Sequence, residues 1–69
     1  RKGDRGDEVV QMQDSLQQLG YLAAVTGYYD DATVAAVRSF QSRNGLSVDG
    51  SAGQETLAVL YGSNPRAAY

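Results

Sequence analysis

The stretch Thr26–Gly50, TGYYDDATVAAVRSFQSRNGLSVDG, reads as a helix framed by two glycine-centred turns. Val34, Val37 and Phe40, with Ala36 beside them, recur at helical spacing and define one apolar face over about Asp31–Asn44. Arg38, Gln41 and Ser42 are expected to face outward. Asp30 suits the cap, because its side-chain oxygen can accept from an unpaired N–H of the first turn. Asn44-Gly45 marks the stop.

Upstream, Val9, Met12, Leu16 and Leu19 share a helical face within Asp7–Leu19, and Gln11, Gln13, Asp14, Gln17 and Gln18 take the other positions. Gly6 or Asp7 can open this helix, and Gly20 suits the left-handed position just past its end. Downstream, Gln54–Tyr61 reads as a third, shorter helix with Leu57, Leu60 and Tyr61 inward, Gly53 at its start and Gly62 at its end. The loop before the central helix is unusually aromatic, with Tyr21, Tyr28 and Tyr29. In the loop after it, Leu46 and Val48 alternate with polar residues and are expected to pin the chain to the core. Short strand-like pairing between the two loops is a further expectation.

Comparison of the two loops gives an internal repeat: Gly27, Thr33, Val34 and Val37 match Gly50, Thr56, Leu57 and Leu60 at a constant offset of 23. Each unit is a glycine turn, a spacer, and a helix with threonine in its first turn. The fold expected is therefore all-α: a compact three-helix bundle with two pseudo-repeated loop–helix units, occupying residues 1–62. Residues 63–69 carry Pro65 and no periodicity, and are expected to be a frayed tail or linker.

Composition narrows the chemistry. The 69 residues suffice for one small domain, and the chain contains neither cysteine nor histidine. Thiol nucleophiles, imidazole bases, disulfides and the usual zinc ligands are excluded together. Asp30 and Asp31 stand side by side at a helix start, where capping explains them better than acid–base work. The expectation is no catalytic residue, no metal and no cofactor. Six basic residues are scattered along a chain of net charge −2, without the basic stripe that phosphate recognition needs. No apolar run approaches a membrane span of about 20 residues. Arg5-Gly6-Asp7 spells an adhesion tripeptide, but its place at the opening of the first helix accounts for it.

Taken in order, three stretches resemble the three-helix peptidoglycan-binding domain family of bacterial cell-wall hydrolases. They are Gly3–Leu22, with Leu19-Gly20-Tyr21; Thr26–Gly50, with Ala36-Val37-Arg38-Ser39-Phe40-Gln41 and Gly45-Leu46-Ser47-Val48-Asp49-Gly50; and Gly50–Leu60. The first turn departs from the family pattern, reading Thr26-Gly27-Tyr28-Tyr29-Asp30 where Asp-Gly-x-Phe-Gly is usual, and Gln54 stands where a proline is common. The resemblance implies a non-catalytic, monomeric module that anchors a linked hydrolase to peptidoglycan, outside the cytoplasm at the cell wall. A protein-interaction or propeptide-like regulatory domain acting on its own parent enzyme is the alternative on the same scaffold.

Peptidoglycan offers amino-sugar faces, which suit tyrosine rings, and peptide carboxylates, which suit helix N-termini. The candidate binding residues are accordingly Tyr21, Tyr28, Tyr29, Asp49, Gly50, Ser51 and Gln54, lining a shallow groove between the two loops. Of the adjacent pair, Tyr29 is expected in the core and Tyr28 at the surface.

Overall fold

The computed structural model describes residues 1–68; Tyr69, the end of the expected tail, lies outside them. Three helices follow in order, α1 (Asp7–Gln18), α2 (Asp31–Arg43) and α3 (Gln54–Leu60), and α1 contacts both others. The core is built from the expected faces: Val9, Met12 and Leu16 of α1, Ala36, Val37 and Phe40 of α2, and Leu60 of α3. Leu22 and Tyr29 complete it from the first loop, which explains why that loop is so apolar. Phe40 sits at the centre, wholly buried, with the Tyr21 ring edge-on to it at 5.5 Å. Leu46 is half-buried and pins the second loop as expected, whereas Val48 is exposed. Tyr61, expected inward, is 45% exposed because α3 ends at Leu60 and Tyr61 becomes its cap.

Strand-like pairing exists, but not between the two loops. Arg5 forms an antiparallel bridge with Tyr28, so the first loop pairs with the segment preceding α1. Residues 63–68, expected to be frayed, form no helix, yet they hydrogen-bond along the C-terminal ends of α1 and α2. The Ala68 N–H donates to Leu19 O, the Arg66 N–H to Asn44 Oδ1, Arg43 Nε to Ala67 O, and the Tyr21 hydroxyl to Arg66 O. Of the groups this segment meets, Leu19 O is a backbone carbonyl that a helix end leaves unpaired, and the others are side chains.

Asp30 caps α2 as its chemistry suggests: its Oδ1 accepts from the Thr33 N–H at 3.0 Å and from the Thr33 hydroxyl at 2.8 Å. These bonds, the hydroxyl first, hold its carboxyl below the usual aspartate value of 3.8. A depressed folded-state pKa stabilises the fold fully above the unfolded value, and the gain is lost as pH falls through the folded one. Asp30→Ala is therefore expected to lower the thermal midpoint by several degrees at neutral pH. Its deficit against the unaltered chain should shrink progressively as pH falls below 3.8, as both chains are followed by circular dichroism.

Candidate functional site

Gln13 and Gln41, expected on outward helix faces, are both fully buried. An amide in the interior must satisfy an acceptor oxygen and two N–H groups, and each of these does so inside one of the two glycine turns. Gln13 Oε1 accepts from the backbone N–H groups of Thr26 and Gly27, at 3.0 and 2.7 Å. Its Nε2 shares two N–H groups among the Thr26 hydroxyl, Tyr28 O and the Thr33 hydroxyl. Gln41 repeats the arrangement bond for bond, its Oε1 accepting from Asp49 and Gly50 N–H, both at 3.0 Å. Its Nε2 reaches Asp49 Oδ1, Ser51 O and the Thr56 hydroxyl, at 2.9–3.0 Å.

Every partner in the first set maps onto its counterpart in the second at the offset of 23 found in the sequence: Thr26 on Asp49, Gly27 on Gly50, Tyr28 on Ser51, Thr33 on Thr56. The side chains of Thr26 and Asp49 also play the same local part, each accepting from the N–H two residues on. The glutamines escaped the repeat because they do not share its offset. What marks them is adjacency: each directly follows a core residue of its helical stripe, Met12 or Phe40. The turns need glycine for two reasons. Gly27 and Gly50 hold φ of 79° and 77°, a region that side chains rarely adopt, and a Cβ on Gly50 would meet Val34 Cγ1 at 3.0 Å.

The seven candidate residues fall into distinct places. Asp49, Ser51 and Gln54 come together on the wall of an open depression of about 290 Å³, with Leu46, Ser47 and Glu55 beside them. Gly50 is buried beneath that loop. Tyr29 is 1% exposed; its hydroxyl donates to Gly50 O at 2.6 Å and accepts from the Ala52 N–H at 3.1 Å, so it ties the two loops together from below. Burial, first among the causes, raises its phenol pKa above 10.0, which keeps the hydroxyl protonated as a donor. Tyr28 stands 49% exposed on the first loop, and Tyr21 is half-buried against Phe40. Neither Tyr28 nor Tyr21 lines the depression.

The lining of the depression carries two acidic side chains, with Arg38 close enough to act on Asp49 from beside the loop. The Ser51 N–H and then Gln41 Nε2 hold the Asp49 carboxyl below its ordinary value, so it is ionised at neutral pH, and Glu55 adds a second carboxylate. Asp30 and Asp31 are engaged separately, the first in its cap and the second in a 2.6 Å ion pair with Lys2. No group of three acidic residues able to hold a metal ion occurs among the described residues. None of their helices is long and apolar enough to cross a membrane.

Comparison with known proteins gives these features a family. A family model described as "Putative peptidoglycan binding domain" matches residues 5–60. The chain is 44% identical over 57 residues to an N-acetylmuramoyl-L-alanine amidase, CwlM, of Mycobacterium tuberculosis, covering 81% of this chain and 14% of that protein. It is 42% identical over 62 residues to the spore cortex-lytic enzyme of Bacillus subtilis, covering 87% of this chain and 20% of that protein. The chain thus spans less than a quarter of the length of these curated relatives. Among solved structures, the SleB N-terminal domain superposes with a TM-score of 0.83 at 38% identity, covering 87% of this chain and 84% of that one. A Burkholderia AP3 phage endolysin superposes at 0.85 and 38% identity, covering 96% of this chain and 26% of that one. With the repeat, the three helices and the match over residues 5–60 in agreement, the chain belongs to the peptidoglycan-binding domain family.

Proposed function

We propose that this chain is a non-catalytic module that binds peptidoglycan and holds a linked hydrolase at the cell wall, outside the cytoplasm. The observation that carries this reading is where the similarity lies. Proteins named as an amidase, a cortex-lytic enzyme and a phage endolysin share this small unit, and in each it occupies less than a third of the length. A part that recurs beside differently named activities is better suited to delivering them than to performing them. The chemistry agrees, since the carboxylates at the start of α2 are committed to a cap and an ion pair.

The binding face in this reading is formed by the two glycine-led loops. Asp49, Ser51, Gln54 and Tyr28 are its accessible groups, while Gly50 and Tyr29 shape the backbone beneath them and Tyr21 packs against Phe40 and the C-terminal segment. Such a shallow surface binds a single site weakly; on a polymer, repeated sites and tethering to a second domain raise the effective affinity. The chain acts as a monomer in this scheme, since peptidoglycan itself supplies the multiplicity.

The test is co-sedimentation of the purified chain with insoluble peptidoglycan sacculi, with cellulose as the control polymer. Selective pelleting with sacculi is the expected result. A folded chain that remains in solution with both polymers removes the reading, and measurable release of soluble wall fragments by the chain alone removes its non-catalytic part.

A further inference from the structure

The two loop–helix units share a turn, a clamp and a threonine, but their outer backbone edges are treated differently. In the first unit the segment before α1 runs along the loop. The Gly6 N–H donates to Gly27 O, the Gly3 N–H donates to Tyr29 O, and the Tyr29 N–H donates to Asp4 O. Lys2 continues this cover to the start of α2 through its ion pair with Asp31. In the second unit the counterparts of Gly27 O and Tyr29 N–H are Gly50 O and Ala52 N–H. One phenol, that of Tyr29, satisfies both from the core side. Among the described residues, the Asp49–Gly53 loop pairs with backbone of another element only where α3 begins, the Leu57 N–H donating to Gly53 O, and the 290 Å³ depression opens there.

We infer that only the second unit contacts peptidoglycan, through the Asp49–Gln54 loop and its depression, and that the ligand it takes is the hydroxyl- and amide-bearing glycan. The first unit is a structural copy whose corresponding edge is covered by the chain's own N-terminal segment. The inference rests on the wall-binding reading above and narrows it. The ligand class follows from the lining: Asp49 and Glu55 carboxylates, the Ser47 and Ser51 hydroxyls and the Gln54 amide outnumber the one cation beside the loop, Arg38, which lies against Gly50 outside the lining and acts on Asp49. Such a surface accepts hydrogen bonds from sugar hydroxyls and N-acetyl N–H groups, whereas peptide carboxylates meet like charge. The exposed Tyr28 ring lies on the covered unit and outside the depression.

Amide chemical-shift mapping of the unaltered, isotope-labelled chain tests this without any substitution. The probes are a peptide-free oligosaccharide of the wall glycan and, separately, the free stem peptide. Shifts are expected at Gly50–Gln54 with the oligosaccharide, and not at the counterpart positions Gly27–Asp31. Shifts centred on Gly27–Asp31, or a response at the second loop to the peptide alone, would overturn the inference while leaving wall binding intact. Silence with both probes, together with failure to pellet with sacculi, would remove the wall-binding reading and this inference with it.

A matched pair of exposed substitutions gives the same answer in affinity. Gln54 and Asp31 are counterparts at the offset of 23, both at the first position of their helices. Gln54→Ala is expected to weaken sacculus binding by roughly three- to tenfold, the scale of one lost hydrogen bond. Asp31→Ala should stay within about twofold, since an exposed ion pair contributes little and the residue does not reach the depression. Equal losses at Gln54 and Asp31 would overturn the assignment.

Discussion

Gln41→Leu is expected to destabilise the domain by about 2–4 kcal/mol, although leucine matches glutamine in size and helix preference. The cause is what the amide leaves behind. Asp49 and Gly50 lose the acceptor for their backbone N–H groups, and Ser51 O and the Thr56 hydroxyl lose a donor. Gly50 and Thr56 are buried, so water cannot take over at those groups without opening the turn. For a domain of this size the loss corresponds to a fall in thermal midpoint of roughly 10–30 °C. The same substitution on an outward helical face would change stability by no more than about 0.5 kcal/mol. A scanning-calorimetry comparison thus separates the buried clamp from a solvated surface glutamine, and a midpoint shift of only a degree or two would mean that the clamp is not formed.

The contrast between those two expectations also shows what a sequence can carry. The helices were legible because apolar periodicity and local caps depend on near neighbours: Val34, Val37 and Phe40 define a face whatever lies opposite, and Asp30 needs only Thr33. The repeat was legible because two turns with the same backbone demand ask for glycine and threonine at the same spacing. Gln13 and Gln41 were not, because their burial is justified only by partners 8 to 20 residues away. Glutamine is ordinarily a surface residue, and no periodic pattern distinguishes a clamp from a solvated amide.

The site was legible to a similar, partial degree. Asp49, Ser51 and Gln54 do share one wall, as the second loop's composition suggested. The tyrosines separated because three rings in one loop of a small domain are drawn in different directions. Tyr29 is taken by the core, Tyr21 by the edge of Phe40, and Tyr28 is left at the surface. The covering of the first loop by Gly3–Gly6 depends on backbone pairing between two irregular segments, which leaves no side-chain signature. A reading confined to residue types therefore treats the two loops as equals, and only their hydrogen bonds tell them apart.

Phe40→Ala is expected to have the largest effect of any single substitution, about 3–5 kcal/mol. Its ring is wholly buried where the apolar faces of the helices and the Tyr21 edge converge. Removing it costs the transfer energy of a benzyl group and leaves a void that the rigid clamps on either side prevent from collapsing. The adjacent Gln41 is tied to the second turn, and Tyr29 to Gly50 O, so α2 cannot slide to fill the space without breaking those bonds. A chain of this length has a total stability of roughly 3–10 kcal/mol, so the variant should be largely unfolded at 37 °C or close to it. Phe40→Leu retains most of the apolar volume and loses chiefly the edge-on contact with Tyr21, a contact of about 0.5–1.5 kcal/mol beyond burial. Urea titration of the two variants would show the midpoint falling in that order at nearly constant slope. If alanine cost less than about 1 kcal/mol, the core could be repacked around α2, and the placement of the second loop, which Gln41 ties to α2, would lose its foundation.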